Sequence, residues 1–194
     1  MTLANLLTSF RIALIPVYAV ATWRWLDDLK RLTASPAGEL PWYWIAFGLF
    51  LFIAVTDLLD GALARWLDQR TVTGAWLDPT ADKLLMCVSL ILLGGVKIPM
   101  WFLAVWYVRE VVMMVGVMLM HTKINWIDMK PRPISKLATF LQFLVVGAAF
   151  LWIPAQAVFW LTVVTAVVTV GSGLLYMREG IRQVYGHERE RRRI

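Results

Sequence analysis

The sequence predicts an all-α, polytopic membrane protein with six transmembrane helices, folded as a single domain over residues 1–194 with a short basic tail at 187–194. Of the 194 residues, 60% are hydrophobic and only 16% are charged, and the mean hydropathy is +0.67. These values are typical of polytopic membrane proteins rather than of soluble domains. Apolar runs close to the ~20 residues needed to cross a bilayer also alternate with short polar segments along the chain.

The six apolar runs are separated by polar segments of uneven length. Aromatic residues at the start of the second run, Trp42 to Trp44, are typical of a membrane interface. The segment Lys97–Pro99 leaves room only for a tight hairpin between the third and fourth runs. The predicted spans lie at about 11–25, 42–54, 82–95, 99–120, 134–153 and 154–177, with polar loops at 26–41 and 121–133 and a turn at 66–77.

Four carboxylates lie close together between the second and third predicted spans, in a chain that is otherwise very apolar. At about 100° per residue, the first two, Asp57 and Asp60, share an arc of roughly 140° of a helix with Gly61, Ala64 and Arg65. The second predicted span runs directly into this arc. We therefore predict that a polar helical face continues from an apolar membrane helix.

The other two carboxylates are predicted to lie on the following helix. Asp78 and Asp82 are one turn apart and therefore share a helical face. Pro79 suits the first turn of a helix and Asp78 suits its N-cap, so we predict that this helix begins here. The stretch is thus predicted to be helix, turn and helix, with four carboxylates converging on one pocket.

Carboxylates crowded in this way repel one another and are costly at a membrane boundary unless cations balance them. A hard divalent ion, Mg²⁺ or Mn²⁺, prefers such oxygen ligands, and a cluster without Cys or His argues against zinc. Two ions about 4 Å apart would suit phosphoryl or phosphatidyl transfer, since charge must be neutralised during displacement. Gly61 leaves space for a bulky ligand near the backbone, and Arg65 offers a planar fork to a phosphate.

The pattern D-x2-D-G-x2-A-R-x8-G-x3-D-x3-D resembles the signature of the CDP-alcohol phosphotransferase family. The matching residues are Asp57, Asp60, Gly61, Ala64, Arg65, Gly74, Asp78 and Asp82. The resemblance implies a six-helix integral membrane enzyme, usually a homodimer, that moves a phosphatidyl group from a CDP-linked lipid to an alcohol and releases CMP. The opening segment NLLTSFRIALIP resembles the glycerophospholipid branch of this family, although its polar residues, among them Arg11, are equally typical of snorkelling at an interface.

The resemblance also implies a role for each matching residue. The implied ligands of two divalent ions, held against the pyrophosphate of CDP-diacylglycerol, are Asp57, Asp60, Asp78 and Asp82. The implied contacts of the cytidine nucleotide and its phosphates are Gly61, Ala64, Gly74 and Arg65. Asp82 would in addition act as the general base for the acceptor hydroxyl.

Two basic features outside this pattern bear on the acceptor. Arg109 lies with Glu110 near the middle of the fourth predicted span, where an unpaired charge is expensive. Anion binding and a structural ion pair with one of the aspartates are both open for Arg109. The segment Lys130–Lys136, KPRPISK, offers three basic groups to a phosphate, with a solvated positive loop as the alternative. Arg109 and Lys136 are therefore the candidates for binding the acceptor phosphate.

The acceptor itself is predicted from resemblances within the family. In phosphatidylglycerophosphate synthases the fourth-span arginine is usually followed, eight residues on, by a second arginine, and Val117 stands there in this sequence. The segments KPRPISKLATFLQ and QRTVTGAWLDP look more like the cardiolipin synthases of the family. The sequence therefore favours phosphatidylglycerol as the acceptor and cardiolipin as the product. Glycerol 3-phosphate, the acceptor of a phosphatidylglycerophosphate synthase, is the alternative.

The distribution of Lys and Arg predicts the orientation of the chain. With both termini in the cytoplasm, more basic residues fall on the cytoplasmic side, and so does the carboxylate cluster. We predict a bacterial inner-membrane protein whose active site faces the cytoplasm. The net charge of +6 is ascribed to anionic membrane lipids and not to nucleic acid, because the chain is so apolar. A membrane ion or proton transporter is the alternative class, but the Asp57 pattern has no repeat in residues 100–194.

Overall fold

In a computed structural model of the chain, the backbone is described for residues 3–31, 41–66, 72–124, 133–151 and 153–191, and the side chains for 8–31, 41–57, 80–118, 133–151 and 153–182. Six helices make up nearly all of this backbone, and none of it forms a β-strand. The helices are α1 (Leu3–Arg31), α2 (Pro41–Trp66), α3 (Val72–Leu93), α4 (Met100–Ile124), α5 (Pro133–Phe150) and α6 (Ala155–Arg191). The predicted all-α class is therefore confirmed for the described backbone.

Three of these helices are long and apolar enough to cross a bilayer. The candidate spans are Met100–Met118 in α4, Pro133–Phe150 in α5 and Ala155–Arg182 in α6. The apolar part of α2, Pro41–Asp57, is shorter. These helices agree with an integral membrane protein, whereas the full set of six spans stays a prediction.

Several helix ends differ from the predicted boundaries. α1 continues to Arg31, so the first part of the loop predicted at 26–41 is helical. α3 begins at Val72, so the prediction that Asp78 caps its N-terminus is wrong and residues 72–77 of the predicted turn are helical. Pro79 consequently lies inside the helix, where it lacks the N–H that would bond the fourth preceding carbonyl. The preferences of aspartate and proline for a helix start are overridden by the helical residues before them.

The polar ends of two further helices also run past their predicted limits. α4 extends to Ile124, so the start of the loop predicted at 121–133 is helical. α6 extends to Arg191, so the backbone of the predicted basic tail is helical over most of its length. The tail's side chains lie outside the described residues. Hydropathy predicts the ends of α4 and α6 too early. The polar and charged residues beyond these ends stay helical, because α-helical propensity does not require an apolar side chain.

The contacts of the chain divide it into two compact units, Met1–Gly94 with Val146–Trp152 and Gly95–Val145 with Ile153–Ile194. In the first unit α1 packs along both α2 and α3. The core of this unit is aromatic, and the ring of Phe150 stacks on Trp25 and Phe50 with centroids 5.2 and 5.8 Å apart. The buried hydroxyls of Tyr18 and Ser89, 2.8 Å apart, tie α1 to α3. The single domain predicted for the whole chain stays a prediction.

The second unit begins with a tight turn and contains α4 packed against α6. The turn is closed by a 2.7 Å hydrogen bond that the backbone N–H of Gly95 donates to the carbonyl of Ile98. Gly95 has a φ of +76°, which L side chains rarely adopt, so a glycine is required there. The predicted hairpin before α4 is thus confirmed. Deeper in the unit, Gln142 of α5 donates a 3.0 Å hydrogen bond to Thr169 of α6.

Candidate active site

The first half of the carboxylate pattern lies on the last turns of α2. Because α2 is helical throughout this stretch, the residues predicted to share one face, Asp57, Asp60, Gly61, Ala64 and Arg65, are one helical array. Only Asp57 has a described side chain. The roles predicted for all five residues stay predictions, and the structure describes side-chain contacts only for Asp57.

Asp57 is bound by an arginine of the neighbouring helix. Arg11 of α1 donates a hydrogen bond from Nη1 to Oδ1 of Asp57, which also makes an ion pair. Nη2 of Arg11 lies 3.4 Å from Oγ1 of Thr8, one turn earlier on α1. The side chain of Arg11 is 1% exposed and that of Asp57 is 25% exposed. Arg11 therefore does not snorkel to an interface, and its burial is stabilised by a carboxylate of the predicted metal site.

Arg11 is not among the residues that the sequence predicts for the site. It is 46 positions from Asp57, and an ion pair across that separation leaves no local spacing to recognise. The sequence feature that could have indicated Arg11 is its position as a lone charge in a strongly apolar run. A buried arginine in such a run requires a partner for its charge.

The second half of the pattern lies on α3. Its backbone is helical through Gly74, Asp78 and Asp82, so the two carboxylates share a face as predicted. The side chain of Asp82 is half-buried. Those of Gly74 and Asp78 lie outside the described side chains.

The donor chemistry of the cluster fits a hard divalent ion. Within the described part of the chain, no three His, Cys, Asp or Glu side chains are grouped to hold a metal; two of the four predicted ligands, Asp60 and Asp78, fall outside it. Asp57 gives Oδ1 to Arg11, while its Oδ2 accepts no hydrogen bond from any residue that the structure describes. One oxygen of this carboxylate is thus available to an ion, and Mg²⁺ and Mn²⁺ prefer carboxylate oxygens.

Arg109, the first candidate for the acceptor phosphate, is buried in α4. Its Nη1 donates to Oε1 of Glu110 in an ion pair, and its Nη2 donates to Oγ of Ser135 in α5 over 3.2 Å. The side chains of Arg109 and Glu110 are only 9% and 13% exposed. The structural ion pair considered for Arg109 is therefore made with Glu110 and not with one of the aspartates.

Lys136, the second candidate, follows Ser135 in the first turn of α5 and is exposed. Its ammonium group therefore keeps its hydration, and it offers a positive charge that no carboxylate in its own helical turn offsets. Lys130 and Arg132 of the same basic segment lie outside the described residues.

Comparison with known proteins identifies the class to which this all-helical chain with its carboxylate pattern belongs. The family model for CDP-alcohol phosphatidyltransferase matches residues 1–168. The chain belongs to this family.

Several bacterial relatives carry the printed name "CDP-diacylglycerol--glycerol-3-phosphate 3-phosphatidyltransferase". The Pseudomonas fluorescens protein is 41% identical over 96 residues, which are 48% of this chain and 41% of that protein. The Pectobacterium atrosepticum protein is 40% identical over 93 residues, 46% of this chain and 42% of that protein. A Yersinia pestis protein is 37% identical over 91 residues, 45% of this chain and 41% of that protein. The chain thus spans about 41% of the length of the curated relatives it matches.

These relatives are named for glycerol 3-phosphate, whereas the sequence analysis favours phosphatidylglycerol as the acceptor. Val117, on which that preference partly rested, is 40% exposed on α4, in contrast to the buried Arg109. Eight residues along a helix also correspond to about 80° of rotation beyond two full turns. The residue at position 117 is therefore a poor indicator of which groups surround Arg109.

Proposed function

We propose that this protein transfers the phosphatidyl group of CDP-diacylglycerol to glycerol 3-phosphate and releases CMP. The observation that carries the proposal is the family match over residues 1–168 together with relatives named for this reaction. The buried, paired charges of Arg11 and Arg109 support it, because charges retained within apolar helices are usually functional. The alternative of an ion or proton transporter has no such support.

The carboxylates of α2 and α3 would hold the donor. The proposed ligands of two Mg²⁺ or Mn²⁺ ions are Asp57, Asp60, Asp78 and Asp82. When bound, such ions neutralise the charge of the pyrophosphate. Arg11 fixes the carboxylate of Asp57 through Oδ1, which leaves Oδ2 for an ion. The proposed contacts of the nucleotide and its phosphates are Gly61, Ala64, Gly74 and Arg65.

Asp82 would act as the general base of the transfer. Its carboxylate takes the proton of an acceptor hydroxyl while that hydroxyl oxygen bonds to the phosphorus of the phosphatidyl group. The bond from this phosphorus to the bridging oxygen of the pyrophosphate breaks, and CMP leaves with that oxygen. Asp82 is half-buried on α3, and this position suits a general base whose carboxylate has to be partly shielded from water.

Arg109 and Lys136 would bind the phosphate of the acceptor. Glu110 offsets the charge of Arg109, so that pair alone offers little net attraction to a phosphate monoester. Lys136 adds the positive charge that a dianionic ligand requires. Both residues belong to the same compact unit. We further propose that the protein works as a homodimer in the bacterial inner membrane, with the carboxylates facing the cytoplasm.

An acceptor panel tests this function. Purified protein in detergent is given CDP-diacylglycerol, Mg²⁺ and either glycerol 3-phosphate, phosphatidylglycerol or other alcohols, and the products are read by CMP release and lipid mass. Phosphatidylglycerophosphate formed in step with CMP is the expected result. Cardiolipin from phosphatidylglycerol, with no product from glycerol 3-phosphate, would reverse the acceptor assignment and retain the reaction class. Absence of CMP with every alcohol would overturn the reaction class.

A further inference from the structure

Three buried polar atoms of the second compact unit have no hydrogen-bond partner among the residues described. They are Nε of Arg109, Oγ of Ser172 and the hydroxyl oxygen of Tyr176. Ser172 is 4% exposed. Because buried polar groups are nearly always hydrogen-bonded in folded proteins, three such atoms in one unit indicate partners other than the residues that the structure describes.

The two helices that carry these atoms pack closely. A methyl group added at Gly173 of α6 would lie 3.7 Å from Cγ of Arg109, and one added at Gly116 of α4 would lie 3.2 Å from Cε1 of Tyr176. Ser172 and Tyr176 are one turn apart and share a face of α6. Arg109 and Tyr176 therefore border the contact between α4 and α6, and Ser172 lies one turn before Tyr176 on the same face of α6.

The hydroxyl of Ser172 differs from two other buried hydroxyls of α6. Thr162 and Thr165, earlier on the same helix, donate to the carbonyls four residues before them, at 2.8 and 2.7 Å. Such a bond satisfies a buried hydroxyl within its own helix. Ser172 makes no bond of this kind within the described chain, so its hydroxyl is available to another group.

The chemistry of the unpartnered groups suits a ligand that carries hydroxyls. The charge of Arg109 is already offset by Glu110, and both of its Nη atoms are engaged. The buried groups without a partner among the described residues are the Nε–H of Arg109 and two hydroxyls, which can bond to an alcohol without adding net charge. A phosphate requires in addition a net positive charge, which the exposed Lys136 adds beside Arg109 in the proposed acceptor site.

We propose that Ser172 and Tyr176 bind the free hydroxyls of a glycerol-type acceptor, beside Nε of Arg109. This assignment rests on the proposed transfer to a glycerol-bearing acceptor and adds two specificity residues to it. Both lie beyond residue 168, where the match to the family model ends. Glycerol 3-phosphate and the headgroup of phosphatidylglycerol share this chemistry, so the experiment compares the two.

The test uses Tyr176→Phe and Ser172→Ala in the full-length protein, with Tyr107→Phe as the matched control. Tyr107 lies on α4 and is 60% exposed. Each variant of the site should raise the KM for glycerol 3-phosphate about tenfold, the loss of one well-placed hydrogen bond, and leave the KM for CDP-diacylglycerol unchanged. The melting temperature in detergent should not fall, because the hydroxyls removed have no partner among the described residues. The control should match the wild type.

An acceptor analogue makes the assignment specific to a hydroxyl. 3-Hydroxypropyl phosphate keeps the phosphate and the attacking primary hydroxyl of glycerol 3-phosphate but lacks its secondary hydroxyl. The wild type should prefer glycerol 3-phosphate over this analogue in kcat/KM, because a site built to bond a hydroxyl discriminates against ligands that lack it. The double variant should lose most of that preference.

Unchanged acceptor KM values and an unchanged preference in both variants would overturn the inference. A lower melting temperature with equal losses for both substrates would also overturn it, since that pattern marks a structural role. If the wild type makes cardiolipin and no phosphatidylglycerophosphate, the proposed acceptor fails. The same variants, compared on phosphatidylglycerol and on its analogue without the secondary hydroxyl, then decide the inference separately. A wild type that uses neither acceptor overturns both.

Discussion

At the residue scale, the carboxylate of Asp57 makes an ion pair through one oxygen and is proposed to bind a metal ion through the other. Oδ1 is taken by a buried arginine, whereas Oδ2 faces no hydrogen-bond donor among the described residues. The hydrogen bond from Arg11 restricts the orientation of this carboxylate. In the proposed function, the restricted carboxylate would present its second oxygen to a divalent ion.

Removing divalent ions with EDTA should abolish CMP release, and Mg²⁺ or Mn²⁺ should restore it, because the crowded carboxylates need cations. Asp57→Asn should abolish turnover while the protein still elutes as a folded species in detergent. Asp27→Asn, which removes a carboxylate paired with Arg31 on α1, is the control and should keep its activity. An active Asp57→Asn enzyme would remove Asp57 from the proposed ligands.

Arg11→Met should destabilise the protein by up to about 3–5 kcal/mol, because it leaves the carboxylate of Asp57 without its buried partner. The loss should fall toward the lower end, since Asp57 is partly exposed and water can replace some of the lost interaction. Arg24→Met is the matched control on the same helix. Arg24 is exposed and lies 5.6 Å from the ring centroid of Trp23, a contact worth about 0.5–1 kcal/mol.

Denaturation in detergent measures both arginine variants. Similar small losses in the two would contradict a stabilising role for the buried ion pair. The pair also shows where prediction from sequence ends at this scale. Fixed spacing along one helix identified the carboxylates, but nothing local to Arg11 or to Asp57 indicates that two different helices bring them together.

At the element scale, the helices were predicted where hydropathy was decisive and misjudged at their polar ends. The segment Lys97–Pro99 predicts the turn before α4, and the structure has a turn there. The capping preference of Asp78 predicts a start of α3 that is six residues too late, because the residues from Val72 onward are already helical. Capping is worth only about 1 kcal/mol, which a few additional helical residues can offset.

The α4–α6 contact gives a prediction at the same scale. Gly116→Ala should destabilise the protein by about 1–3 kcal/mol, because its methyl group would lie 3.2 Å from the Tyr176 ring, which would have to move. Gly171→Ala, on α6 with no atom within 4 Å of the added methyl group, should be neutral or stabilising by up to about 1 kcal/mol. Melting temperatures in detergent distinguish them. Shifts of the same sign and size would show that helix propensity, and not the contact with Tyr176, determines the change in stability.

At the scale of the whole molecule, composition was sufficient to predict the all-α class and the membrane character. It did not predict the acceptor. In the proposed function the acceptor is chosen by polar groups between helices, and a substitution at an exposed position such as Val117 carries little information about such groups. The family match and the names of the relatives therefore added what the pattern of residues alone did not contain.

The proposed topology, six spans with both termini in the cytoplasm, predicts that the turn at Lys97 lies on the outer side of the membrane. In a Cys87→Ser background, Lys97→Cys should therefore react with a membrane-impermeant maleimide in intact cells. Arg182→Cys, an exposed position near the cytoplasmic end of α6, should react only after the membrane is broken. The opposite labelling pattern would invert the orientation, and labelling of both sites in intact cells would contradict six spans.

Arg109 and Glu110 are consecutive in the chain. The carboxylate that pairs with Arg109 is therefore synthesised together with it, as part of α4. A single arginine or aspartate at the centre of an inserting helix costs about 2.5–3.5 kcal/mol at the translocon. Ser135, the other partner of the guanidinium, is synthesised only later. Because the neighbouring carboxylate is already within reach, the nascent helix can enter the lipid as a neutral segment before α5 and α6 exist to receive it.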